Sequence, residues 1–160
     1  MRKRVQLTGL LGLWLLGSLA GPAAAEDPVL TVAVLEAEHA LTLDNLREMD
    51  QESFETTTIW TEGVQTFSGV PLWVLVARYG ITDGELIATA INDYAISFPV
   101  QDALQQGPIV AFLRNGKEMS VRDKGPLWIV YPYDSSEAFQ TEIVHARSIW
   151  QLNRITIRAD

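Results

Sequence analysis

The stretch Val121-Arg122-Asp123-Lys124-Gly125-Pro126-Leu127-Trp128-Ile129-Val130-Tyr131-Pro132 decides how the chain is read. A charged segment punctuated by Gly125 and Pro126 runs straight into the apolar run Leu127 to Tyr131. That run reads as a buried strand ended by Pro132. Loops handed over by scaffold strands are where binding groups are carried. Two cations just before a glycine, Arg122 and Lys124 ahead of Gly125, present charge and backbone N–H groups to an anion, with Asp123 set to pair with either neighbour.

Outward from this strand the pattern is a mixture of strands and short helices. Ile109 to Leu113 is a second buried strand, and Asn115-Gly116 predicts a hairpin turn because both residues tolerate positive φ. Lys117 to Val121 is the expected return strand. Downstream, Ser136 or Thr141 caps a helix reaching about Arg147, and Trp150 to Ile157 is a closing strand with Leu152, Ile155 and Ile157 inward.

Upstream, Val29 to Leu35 is a β-rich first strand. Thr42 caps a short helix whose Leu43, Leu46 and Met49 share a side. Ser53 to Trp60, with Thr56, Thr57 and Thr58 in a row, reads as a strand, and Thr61 to Ser68 as a polar loop. Pro71 opens a helix with Leu72, Leu75, Val76 and Tyr79 on one face, ended by Gly80. Leu86 to Ile91 and Tyr94 to Phe98 are strands joined through Asn92-Asp93, and Pro99 begins a short helix to Leu104. The expected fold class is α+β, a mixed β-sheet or barrel-like core with short inserted helices.

Composition excludes whole classes of function. The 160 residues contain no cysteine, which removes thiol nucleophiles, thiolate metal sites and redox dithiols. Residues 1–25 have the form of a secretory signal: Arg2-Lys3-Arg4, an apolar core from Leu7 to Leu19, then Ala23-Ala24-Ala25. The expected arrangement is an export signal at 1–25, one domain at 26–160, periplasmic location, and no stable membrane insertion after cleavage. Without Arg2, Lys3 and Arg4 the 12 basic residues fall to 9 against 20 acidic ones, and the formal charge goes from −8 to −11. Such a domain repels phosphate backbones, so nucleic acid is not an expected partner.

The order of motifs carries a resemblance. Phe67-Ser68-Gly69-Val70-Pro71-Leu72, Ala90-Ile91-Asn92-Asp93-Tyr94, Asn115-Gly116, Lys124-Gly125-Pro126-Leu127-Trp128, Tyr131-Pro132 and Trp150-Gln151-Leu152 together resemble the oxidoreductase molybdopterin-binding domain, the fold of sulfite oxidase. The resemblance spans Val29 to Ile157. It implies a molybdenum-ligating cysteine in the segment preceding the Phe-Gly-Pro helix start. Here that segment is Glu55-Thr56-Thr57-Thr58-Ile59-Trp60-Thr61, without sulfur. The resemblance places the candidate pocket at Thr58, Trp60, Asn92, Asp93, Arg122, Lys124 and Tyr131.

The first expectation is a non-catalytic ligand-binding or sensory accessory module, taking a small anionic ligand or a periplasmic protein partner, with no cofactor. The alternatives are an oxidoreductase holding molybdopterin noncovalently, with Arg122 and Lys124 on its phosphate, and a structural partner-binding domain. His39 and His145 lack His, Asp or Glu neighbours at metal-ligand spacing except Glu142 near His145, so a metal site is not expected, and Trp73, Trp128 and Trp150 are expected in the core.

Overall fold

The computed structural model describes residues 26–159, so the expected export segment lies outside the described residues. The chain begins with a hairpin. β1 (Leu30–Val34) buries Leu30, Val32 and Val34 by simple alternation, turns at Leu35, and returns as β2 (Ala37–Leu41), whose residues are exposed except Leu41. Helix α1 (Leu43–Arg47) starts as expected at Thr42. The Thr42 hydroxyl accepts the Asn45 N–H and the Asn45 side chain accepts the Thr42 N–H, a reciprocal cap.

β3 (Glu52–Thr56) and β4 (Gln65–Pro71) form the next hairpin. Two expectations are corrected here. The threonine-rich strand stops at Thr56, and the second half of the expected polar loop, from Gln65 on, is β4. Gln65, Thr66 and Ser68 are polar and only half-buried on β4 while Phe67 and Val70 are buried, so its first residues look like a loop in sequence. A side chain at Gly69 would place its Cβ 2.1 Å from the Val110 carbonyl, so glycine is required where β4 crosses the next strand.

Pro71 then caps α2 (Leu72–Ala77), and Pro99 caps α3 (Val100–Leu104), as the sequence predicts. Between them β5 (Glu85–Ala90) and β6 (Ala95–Pro99) pair around the Asn92-Asp93 turn, where Asp93 has φ 65°. β7 (Ile109–Arg114) turns at Asn115 and Gly116, both at positive φ, into β8 (Lys117–Glu118), which is shorter than expected. A 3-10 turn at Val121–Asp123 leads to β9 (Trp128–Val130). After 3-10 turns at Tyr133–Ser135 and Glu137–Phe139, helix α4 (Glu142–Arg147) and β10 (Leu152–Arg158) complete the chain. Among the described residues no helix is long and apolar enough to cross a membrane.

One sheet runs β2-β1-β10-β5-β6, with the first and last strands parallel at its centre. A register shift between Leu152 and Arg154 lets Leu152 and Ile155, three positions apart, both face the core. The other sheet runs β3-β4-β7, and β8 and β9 share the far side of β7. The barrel-like expectation is corrected. The two open sheets are joined by a single bridge between Trp128 and Trp150, with Ile129 N–H to Ile149 O at 2.9 Å and Leu152 N–H to Leu127 O at 2.9 Å. Buried side chains from both sheets and all four helices make one continuous core.

Candidate functional site

The loop after β3 is organised by a carboxylate 77 residues away. The Thr57 N–H and hydroxyl both donate to the Asp134 carboxylate, at 2.6 and 2.7 Å, and the Asp134 N–H donates to the Thr56 hydroxyl oxygen at 3.2 Å. These bonds, the Thr57 N–H first, hold the Asp134 carboxyl below its ordinary range. The clamp peels Thr57 away from the strand. The Thr58 and Thr61 hydroxyls bond each other at 2.8 Å, and the Trp60 N–H donates to the Thr58 hydroxyl oxygen at 3.1 Å. The loop thus spends its hydroxyls internally and turns the Trp60 ring inward.

Trp60 is the hub of an aromatic cluster. Its centroid lies 5.5 Å from Trp150, 5.8 Å from Trp128, 5.6 Å from His145 and 6.2 Å from Tyr133, all edge to face. Such geometry sets the positive edge of one ring against the negative face of another. Helix α4, capped by the Thr141 hydroxyl accepting the Val144 N–H at 3.3 Å, brings in His145. Ser148 ends that helix in a buried relay. The Tyr133 hydroxyl donates to Ser148 Oγ at 2.6 Å, and Ser148 Oγ donates to the Val144 carbonyl at 2.8 Å. The Ser148 carbonyl accepts the Trp128 indole N–H at 3.2 Å. Burial pushes the Tyr133 phenol well above its ordinary value.

Two clefts flank this cluster and share His145. The first, about 340 Å³, is lined by Trp60, Ala90, Asn92, Tyr94, His145 and Trp150 among others. The second, about 330 Å³, is lined by Thr57, Thr58, Ile59, Tyr133, Asp134, Gln140 and His145. The first is an aromatic slot whose floor is the junction between the sheets. Among the described residues the His145 side chain makes no hydrogen bond to a threonine hydroxyl. The site offers stacking surface and a few polar groups.

The seven sequence-predicted site residues are only partly brought together. Trp60 and Asn92 line the first cleft and Thr58 the second. Lys124 stands one ring behind the first cleft, its ammonium 5.0 Å over Trp150 and 6.0 Å over Trp128. Asp93 is an exposed turn residue lining neither cleft, and Arg122 is exposed on the 3-10 turn and also lines neither. Tyr131 is buried against Tyr133 and Phe139, so it is core rather than pocket wall. Burial pushes its phenol up to about 12, offset in part by Arg147 beside it.

Two backbone N–H groups of the expected anion-binding loop are bonded within the loop itself. The Gly125 N–H donates to the Ser120 carbonyl at 2.8 Å and the Asp123 N–H to the same carbonyl at 2.9 Å, while the Asp123 carboxylate accepts the Ser120 hydroxyl at 2.7 Å. Those N–H groups are taken, and Asp123 forms this hydrogen bond rather than the expected pairing with a neighbouring cation. A Cβ at Gly125 would lie 1.8 Å from the Met119 carbonyl, so the glycine serves close packing.

Sequence reasoning missed His145, Tyr94 and Trp150 as cleft residues. Tyr94 follows the Asn92-Asp93 turn directly, and the Thr141 cap fixes where α4 begins, so both had a local signal. Trp150 did not, because its partial exposure follows from the bridge to Trp128. Trp73 is also partly exposed, and of the three tryptophans expected in the core Trp128 alone is fully buried.

No family model matches the chain, and no curated protein matches it. Among solved structures it is similar to the sulfane dehydrogenase SoxCD from Paracoccus pantotrophus, with a TM-score of 0.60 and 19% identity. The match covers 82% of this chain and 38% of that one. At this identity the likeness is one of fold alone, and at a coarse level it is consistent with a sulfite-oxidase-like fold.

The residues present do not fit a thiolate-ligated molybdenum cofactor. The segment that would supply the thiolate offers hydroxyls already bonded to Asp134 and to each other, and hard neutral oxygens are poor substitutes for soft sulfur. Nor, among the described residues, do cations converge for a phosphate. Arg147 pairs with Asp102 at 2.9 Å and lies over Phe98, while Arg114 and Lys117 border a separate cleft with Glu118 and Asp123.

Proposed function

We propose that the protein is an exported, non-catalytic ligand-binding module, a divergent relative of the molybdopterin-binding domains in which an aromatic slot serves in place of a metal centre. One observation carries this reading. Asp134 holds the loop that would bear the metal ligand in a shape that closes its hydroxyls off and delivers Trp60 to the slot. A site with rings on several sides and a few polar groups is suited to holding a molecule.

The location rests on the signal-like form of residues 1–25. The accessory role rests on the unfitted donor set. Differential scanning fluorimetry of the purified protein against a panel of small organic acids, sulfur oxyacids, pterins and sugars tests the reading. A saturable, concentration-dependent rise in Tm that is lost in Trp60→Ala is expected, because a ligand stabilises the state that binds it. A panel-wide absence of any shift, with the protein folded, would count against ligand binding and favour a structural partner-binding domain.

A further inference from the structure

We propose that the aromatic slot takes a small ring-bearing organic monoanion, an aryl or heteroaryl carboxylate, and that Lys124 selects for its charge. The inference rests on the ligand-binding reading above and names the ligand class for the same site.

The ring requirement comes from the walls. Tyr94 and Trp150 remain 53% and 36% exposed at the mouth of the slot, which leaves apolar ring surface for a ligand to cover. Trp60 meets Trp150 edge to face, so the two rings present differently oriented surfaces to an inserted ring. A volume of about 340 Å³ is near the lower end for small-molecule sites and suits one ring system with a short substituent.

The carboxylate requirement comes from the polar groups. The Asn92 side-chain oxygen accepts the Tyr94 N–H at 3.2 Å, which orients the amide and leaves its NH₂ as a donor. His145, also lining the slot, brings a second N–H donor. Both match a carboxylate acceptor.

The single charge comes from Lys124. Its ammonium makes no ion pair among the described residues, although the chain carries 20 acidic side chains against 12 basic. Its place is fixed. The backbone sits at φ 73°, and its carbonyl accepts the Gln151 N–H at 3.0 Å. The Gln151 side chain in turn donates to the Val121 carbonyl at 2.7 Å. The positive charge therefore lies over the Trp150 ring that lines the slot. It draws electron density from that ring and favours an anionic partner against it. A cationic ligand would meet like charge there.

The test is isothermal titration of the purified protein with benzoate and indole-3-carboxylate, their neutral amides, benzylammonium, acetate and inorganic phosphate. Ring carboxylates are expected to bind about tenfold or more tighter than the amides. They should also outbind acetate, phosphate and benzylammonium. Lys124→Met, with Tm checked, should bring carboxylate and amide affinities together, and Trp150→Ala should abolish binding of both. The proposal is overturned if amides or benzylammonium bind as tightly as carboxylates, if acetate or phosphate match the ring compounds, or if no ring compound binds. In the last case, stabilisation by other small molecules would leave the ligand-binding reading standing, whereas stoichiometric molybdenum would remove that reading itself.

Discussion

The buried relay behind the slot makes a sharp prediction in a double-mutant cycle between Tyr133 and Ser148. In Tyr133→Phe one hydrogen bond is lost, but Ser148 Oγ keeps its bond to the Val144 carbonyl, so nothing is left unsatisfied. The expected cost is about 1 kcal/mol. In Ser148→Ala the Tyr133 hydroxyl, on a residue only 3% exposed, loses its acceptor. Stranding that group costs about 1–3 kcal/mol in addition to the lost bond. The double variant removes the stranded hydroxyl as well, so it should be about 1–3 kcal/mol more stable than Ser148→Ala alone. The predicted coupling, the shared bond plus the stranding cost, is about 2–4 kcal/mol, and it should appear in urea denaturation as shifts in midpoint at constant m-value. Additivity of the two single effects within about 0.3 kcal/mol would refute the relay as drawn.

Three further outcomes follow. Gly69→Ala should destabilise by about 3 kcal/mol or more, because its Cβ would collide with the backbone at Val110 and Ala111; a melting temperature close to the parent's would contradict the close crossing of β4 and β7. Trp128→Ala, at the fully buried junction of the sheets, should cost about 3–5 kcal/mol in chemical denaturation, and a loss under about 1 kcal/mol would place the ring outside the core. The Tyr131 phenol is raised from 10.0 to about 12 by burial, so its unfolded form ionises first. The associated stability is fully present below about pH 10 and is lost as pH rises toward 12, an effect of the order of 2–3 kcal/mol, which Tyr131→Phe should remove from the pH–stability profile.

What the sequence made legible is what local chemistry decides. Thr42, Pro71, Pro99 and Thr141 start helices through their own caps or fixed φ. Asn92-Asp93 and Asn115-Gly116 make turns because their backbones tolerate positive φ. Apolar runs such as Ile109 to Leu113 declare burial directly. What stayed hidden depends on distant partners. Thr57 leaves its strand because Asp134 captures it, and no property of Thr57 announces that. β2 was missed because its exposed face is polar and its pairing is set by β1. Tyr131, at the end of the expected strand, read as pocket wall, yet Phe139 and Tyr133 cover it. Arg122 and Lys124, two residues apart, diverge because the 3-10 turn and the left-handed Lys124 backbone aim them differently.

In the proposed reading the fold holds an aromatic ligand slot where its resemblance implies a metal centre. The decisive measurement is molybdenum and pterin content on protein purified from molybdenum-replete cells. Metal far below one atom per chain and no pterin released on denaturation are expected. One molybdenum per chain, with a pterin released alongside it, would contradict that reading.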